Sequence, residues 1–177
     1  MLPPLYTEWQ DKAHRTFLVK RAQYGESWRY LSLPSLIDLL LIKAQRIHTL
    51  LRNAALPATG EPPVEDWLSL VNYAALAILK LRASHAPTEE ALKDILEQAR
   101  RLLACKNADY GEAWRHMRPL AFIEFILMKL ERIRHMDSQP DKNEDAIIDN
   151  LLDIMNYALL YLTGYGGSFT PSPSVDR

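Results

Sequence analysis

Apolar residues recur along this chain at spacings of three and four, and no stretch alternates as a strand would. The pattern predicts six helices, at roughly 6–22, 33–53, 64–84, 88–106, 118–137 and 144–163. Pro34 and Pro119 fall near equivalent helix starts, where a missing N–H costs nothing. Thr88, followed by Glu89 and Glu90, reads as an N-cap with acids in the first turn. Breakers separate the helices: Pro57 to Pro63 with Gly60, then Pro87, then Asp137 to Asn143 with Pro140. From Gly164 onward, glycine, serine and proline predict a flexible, solvated tail.

The polar positions repeat. Tyr24-Gly25-Glu26-Ser27-Trp28-Arg29 returns 86 residues later as Tyr110-Gly111-Glu112-Ala113-Trp114-Arg115. The same offset lays Lys43, Arg46 and Ile47 on Lys129, Arg132 and Ile133, and Asp38 on Glu124. After a loop shorter by two residues, Asn72-Tyr73 falls on Asn156-Tyr157. Core positions drift between copies, with Leu39 against Phe125 and Ile42 against Met128, as packing tolerates. The expected fold is therefore an all-α helical bundle of two internally repeated three-helix units with pseudo-two-fold packing. Residues 1–84 form the first repeat, 85–163 the second and 164–177 the tail. A three-helix unit of this size has a thin core, so the repeats are expected to pack into one compact domain.

Composition narrows the function classes. A net charge of −1 supplies no global attraction to nucleic acid or anionic membrane. No apolar run reaches the roughly 20 residues of a membrane span, and the N-terminus, with Pro3, Pro4, Glu8 and Asp11, does not read as a signal peptide. Cys105 is the single cysteine; it suits a reducing compartment and is expected to be a small core residue. A cytoplasmic protein is expected, and self-association is common for such folds. The five histidines form no zinc-like spacing, and no P-loop, dinucleotide fingerprint or G-x-S-x-G is present.

Three elements carry candidate chemistry. In each Tyr-Gly-x-x-Trp-Arg element, glycine permits a left-handed turn at a helix end. There the aromatics either plug a loop or stack on a base, with Arg29 or Arg115 addressing phosphate. Lys43/Arg46 and Lys129/Arg132 share helix faces at i, i+3, where the cations repel unless an anion lies opposite. Asp145, Asp149, Asp153 and Asn156 span roughly an 80° arc of the last helix. Glu65, Ser69 and Asn72 answer them in the first repeat. Such a stripe is either a wet face or a Mg²⁺ site, stronger in the second repeat because Ser69 stands where Asp153 does. Asn72 and Asn156 either orient a base or bridge two helices.

These residues identify the chain as resembling the DUF1599 family, nucleotide modification associated domain 1, in a two-copy form over residues 6–163. The resemblance rests on Lys106 to Arg115, on Ile126 to Ile133 with Lys129 and Arg132, on Asp149 to Asp153, and on Asn156-Tyr157. It implies a link to nucleotide metabolism or modified bases. A looser resemblance to the MazG-like and dimeric dUTPase all-α pyrophosphohydrolases implies acidic residues on two helices holding Mg²⁺ around a triphosphate. Asp149 and Asp153 resemble the second acidic pair and Glu124 part of the first. Lys129 and Arg132 stand where a full Glu-x-x-Glu would lie.

The expectation is a protein binding a small nucleotide or related phosphate compound. Tyr24, Trp28, Tyr110 and Trp114 offer aromatic faces. Arg29, Lys43, Arg46, Arg115, Lys129 and Arg132 neutralise phosphate, with Asn72 and Asn156 beside them. Asp149 and Asp153 hold Mg²⁺ and, with Glu124, activate water if the protein hydrolyses a phosphoanhydride. The alternative is a non-catalytic interaction or scaffold module in which the repeated Arg, Trp and acidic residues lock the halves together.

Overall fold

The computed structural model describes residues 2–53, 58, 63–83 and 88–166. Its helices are α1 (Pro4–Tyr24), α2 (Leu33–Asn53), α3 (Val64–Leu81), α4 (Thr88–Tyr110), α5 (Pro119–Asp137) and α6 (Glu144–Tyr165). Short 3₁₀ turns, Ser27–Tyr30 and Ala113–His116, link α1 to α2 and α4 to α5. Among the described residues there is no strand. The protein is an all-α bundle of two three-helix repeats.

The third helices are the most apolar and take the centre. Helix α3 buries every residue from Asp66 to Asn72 and again from Ala74 to Leu79. Helix α6 buries Leu151, Leu152 and most positions from Ile154 to Thr163. Helices apolar on nearly all sides must be surrounded. Accordingly α3 and α6 pack on each other, α2 covers α3, α5 covers α6, and α2 meets α5. Helices α1 and α4 each touch both central helices, so exchanging α1 with α4, α2 with α5 and α3 with α6 preserves the packing scheme. At the centre Trp67 of α3 stacks on Tyr161 of α6, with ring centroids 4.0 Å apart and planes 13° from parallel. Neither aromatic has an aromatic repeat mate; Leu151 and Ala77 hold the corresponding positions. The pair therefore fills the interface asymmetrically. Burial pushes the Tyr161 phenol up to about 12.

Several expectations change; α4 runs on to Tyr110 instead of ending near 106, and α3 ends at Leu81 instead of near 84. Helix α6 runs through Gly164 to Tyr165 instead of ending at 163. Gly164 sits under Trp114, where an added Cβ would come within 3.3 Å of the indole, and the Tyr165 hydroxyl donates to Met117 O at 2.7 Å. Cys105 is exposed, not a core residue. The Thr88 hydroxyl is engaged by the other repeat, through Glu26 and Arg29. Residue 84, Pro57, Gly60, Pro87 and the tail beyond 166 lie outside the described residues.

Because Trp67 is 1% exposed at the contact between repeats, Trp67→Ala should cost about 3–5 kcal/mol. Equilibrium unfolding in urea checks this through a large fall in midpoint; a change within error would show that the stack does not join the repeats.

Candidate functional site

Each first helix ends on a glycine with positive φ, 62° at Gly25 and 60° at Gly111. A Cβ at either would meet no atom within 4 Å, so the backbone conformation, not space, calls for glycine. The chain then enters the 3₁₀ turn, with Arg29 N–H donating to Glu26 O at 3.0 Å and Arg115 N–H to Glu112 O at 2.9 Å. In both turns the guanidinium lies over the preceding indole, 4.8 Å from the Trp28 centroid and 4.7 Å from that of Trp114.

Beyond this shared frame the turns differ. The Glu26 carboxylate accepts from Arg21 Nε at 2.6 Å, Thr88 Oγ1 at 2.6 Å, Arg29 Nε at 3.0 Å and Trp28 Nε1 at 3.1 Å. Arg29 Nη2 also donates to Thr88 Oγ1 at 3.0 Å, so this network joins the first turn to the start of α4. Partial burial raises the Glu26 carboxyl, but the bonds from Thr88, Arg21 and Trp28 bring it below the usual carboxylate range. Among the described residues Glu112 instead accepts from Arg115 alone, at 2.6 and 3.1 Å, and that bond holds it low. Trp114 is buried, and its Nε1 has no acceptor among the described residues.

The lysines of the second helices meet carboxylates on the third. In the first repeat Asp66, 1% exposed, accepts from Lys43 Nζ at 2.9 Å and from Arg46 Nη1. In the second, Asp153 accepts from Lys129 Nζ at 2.8 Å and from Lys106 Nζ at the end of α4. These carboxylates occupy different turns. The repeat mate of Asp66 is Asn150, and the mate of Asp153 is Ser69. Each repeat thus keeps one of two carboxylate positions, three residues apart on one helix face, and the choice is opposite.

The exchanged positions coincide with cavities. Ser69 lines a cleft of about 310 Å³ with Phe17, Lys20, Tyr24, Trp28, Asn72 and Tyr73. Lys20 is the mate of Lys106 but has no carboxylate partner among the described residues. Asn150 lines a second cavity, of about 610 Å³, with Arg132. Asn72 and Asn156 both bridge helices: Asn72 Nδ2 donates to Ala13 O and Asn156 Nδ2 to Ala99 O, each at 3.0 Å. The Tyr6 hydroxyl, its ionisation pushed up by burial, donates to Asn156 Oδ1 at 2.7 Å. Leu92 is the mate of Tyr6, and Asn72 Oδ1 is buried without a donor among the described residues.

A family model described as nucleotide modification associated domain 1 matches residues 20–81 and again residues 106–163. The chain belongs to this family, DUF1599. No curated protein and no solved structure matches it. Each DUF1599 match opens on the lysine near the end of the first helix, Lys20 or Lys106, and extends into the last turn of the third helix.

Within this DUF1599 pair, the residues expected to hold Mg²⁺ do not fit one. Both Asp153 oxygens accept from ammonium groups, which would repel a dication and occupy the hard oxygen donors it requires. Asp149 is exposed. Glu124 is also exposed and lies 3.7 Å from His48 Nε2. Among the described residues no three His, Cys, Asp or Glu side chains converge on a metal position. Of the cations expected to meet phosphate, Lys43, Arg46 and Lys129 face Asp66 or Asp153, and Arg29 and Arg115 face Glu26 and Glu112. Tyr24 and Tyr110 are 69% and 75% exposed, Tyr24 at the cleft rim. Sequence reasoning passed over Glu26, Lys20 and Lys106 as site residues, though all recur at the 86-residue offset.

The depressed Glu26 carboxyl makes a signed prediction. Its stabilisation is present above the ordinary carboxylate range and is lost as pH falls through the folded value. Glu26→Gln should therefore lower the melting temperature most at neutral pH, and the gap from the wild type should close on acidification. A gap independent of pH, measured by calorimetry, would show that the charge contributes nothing.

Proposed function

We propose that the first repeat's cleft binds a nucleotide, and that a nucleoside monophosphate is the class it takes. The observation that carries the reading is the serine at position 69. At the corresponding place in the second repeat, a carboxylate bridges the lysines of the first and second helices. With Ser69 there and Lys43 turned to Asp66, Lys20 and the neutral Ser69 both line the cleft. A phosphate placed there takes the role of the Asp153 carboxylate and gains a charge-assisted bond from Lys20. Trp28, Tyr24 and Tyr73 supply aromatic surface for a base.

Size and charge favour the smallest nucleotides. A cleft of about 310 Å³ is at the low end for ligand sites. Of its two cations, Arg21 is already bonded to Glu26, leaving Lys20 for one phosphate group. The family's description as nucleotide modification associated agrees with such a ligand. No hydrolytic step is proposed, because the acidic residues do not fit Mg²⁺. For the turns a second reading is favoured: Glu26, Arg29 and Thr88 bond one another across the repeats and serve as internal glue.

Thermal denaturation against nucleoside mono-, di- and triphosphates tests the proposal. A ligand at about 100 times its dissociation constant adds about 2.7 kcal/mol, a rise of several degrees for a chain of this length. Monophosphates should give the rise, and Ser69→Asp, which supplies Lys20 with a carboxylate, should abolish it without lowering the ligand-free midpoint. A rise that survives Ser69→Asp, or none for any nucleotide, would contradict the reading.

A further inference from the structure

The second cavity presents the mirror-image exchange. In the first repeat Arg46 donates to the buried Asp66. In the second, the Arg132 mate of Arg46 lines this hollow together with Asn150, a neutral amide of nearly the same shape that replaces the carboxylate. Lys129 has turned to Asp153, one turn along α6, and no carboxylate pairs with Arg132 among the described residues. Arg132, Asn150, His135, Met128, Met136 and Glu131 line a hollow of about 610 Å³ that opens broadly to solvent. Glu131 lies 3.4 Å from Arg134, which partly offsets its charge at the rim. The Asn150 amide donates to Ala146 O at 2.7 Å, while its Oδ1 is closed to solvent and without a donor among the described residues.

We infer that this cavity is a second ligand site, which takes a small organic anion whose acidic group stands at Arg132 where Asp66 stands at Arg46. Arg132 supplies a planar pair of N–H donors suited to a carboxylate or phosphate. The methionines give an adaptable apolar wall for the ligand's body. The site shares no lining residue with the first-repeat cleft, so it stands whether or not that cleft binds nucleotide.

The methionines also provide the readout. The full chain carrying ¹³C-methyl methionine is titrated with phenyl phosphate and, separately, with benzoate. Saturable shifts of the Met128 and Met136 methyls, with Met155 unmoved, are expected from at least one, and the comparison tells which acidic group the site prefers. Asn150→Asp should abolish the shifts while leaving the melting temperature no lower, because it supplies Arg132 with the partner that Arg46 has. Arg132→Gln should weaken binding by about tenfold or more. Ser69→Asp should leave the titration unchanged. No shift from either anion, or shifts that persist in Asn150→Asp, would overturn the inference.

Discussion

A lysine at the middle of each second helix must meet a carboxylate from the third helix if both helices are to pack closely. Removing one partner from such a partly buried pair strands a charge, which costs more than a fully exposed pair is worth. The requirement leaves a choice of turn, since α3 and α6 can each offer the carboxylate from either of two positions three residues apart. The first repeat uses Asp66 and reaches Lys43 and Arg46; the second uses Asp153 and reaches Lys129 and Lys106. Either solution anchors the outer helix and leaves the rest of the central helix free to be apolar. It also decides which cation lacks a carboxylate among the described residues: Lys20 in the first repeat, Arg132 in the second.

The duplicated chain has thereby acquired two unlike halves on one frame. Its backbone is shared down to the glycine conformation at the end of α1 and α4 and the 3₁₀ turn that follows. Its side-chain networks are not. Four donors meet at Glu26, of which Thr88 ties the first turn to α4, and Trp28 stays partly exposed at a cleft. Around Glu112 only Arg115 answers among the described residues, and Trp114 packs against Gly164. The small residue at position 164, where the first repeat has Lys80, admits the indole. The first turn borders a cleft, and the second is closed by its own tryptophan.

Much of this fold was legible in the sequence, and the physical reason is period. Six amphipathic or apolar segments with breakers between them leave little choice, and α2 and the start of α6 fall where the pattern put them. The repeat also marked the turns and the lysines. It could not reveal Asp66, whose mate is an asparagine, since a residue that matters in one copy alone leaves no echo. The acidic stripe on α6 misled for a related reason. A helical arc tells which carboxylates share a face, but not that Asp153 meets two ammonium groups while Asp149 faces solvent. The continuation of α6 to Tyr165 depended on a contact with a distant segment, which no local pattern records, whereas Cys105 lies off the stripe of Leu92, Ile95, Leu96, Ala99 and Leu103 that α4 buries.

The central claim is that each repeat presents an anion position where the other carries its carboxylate. Anomalous diffraction from crystals soaked in sodium selenate, a tetrahedral dianion like phosphate, tests it most directly. Peaks are predicted beside Lys20 and Ser69 and beside Arg132 and Asn150, with none at Lys129 or Lys43. Selenate bound at Lys43 or Lys129, with both cavities empty of it, would contradict the account.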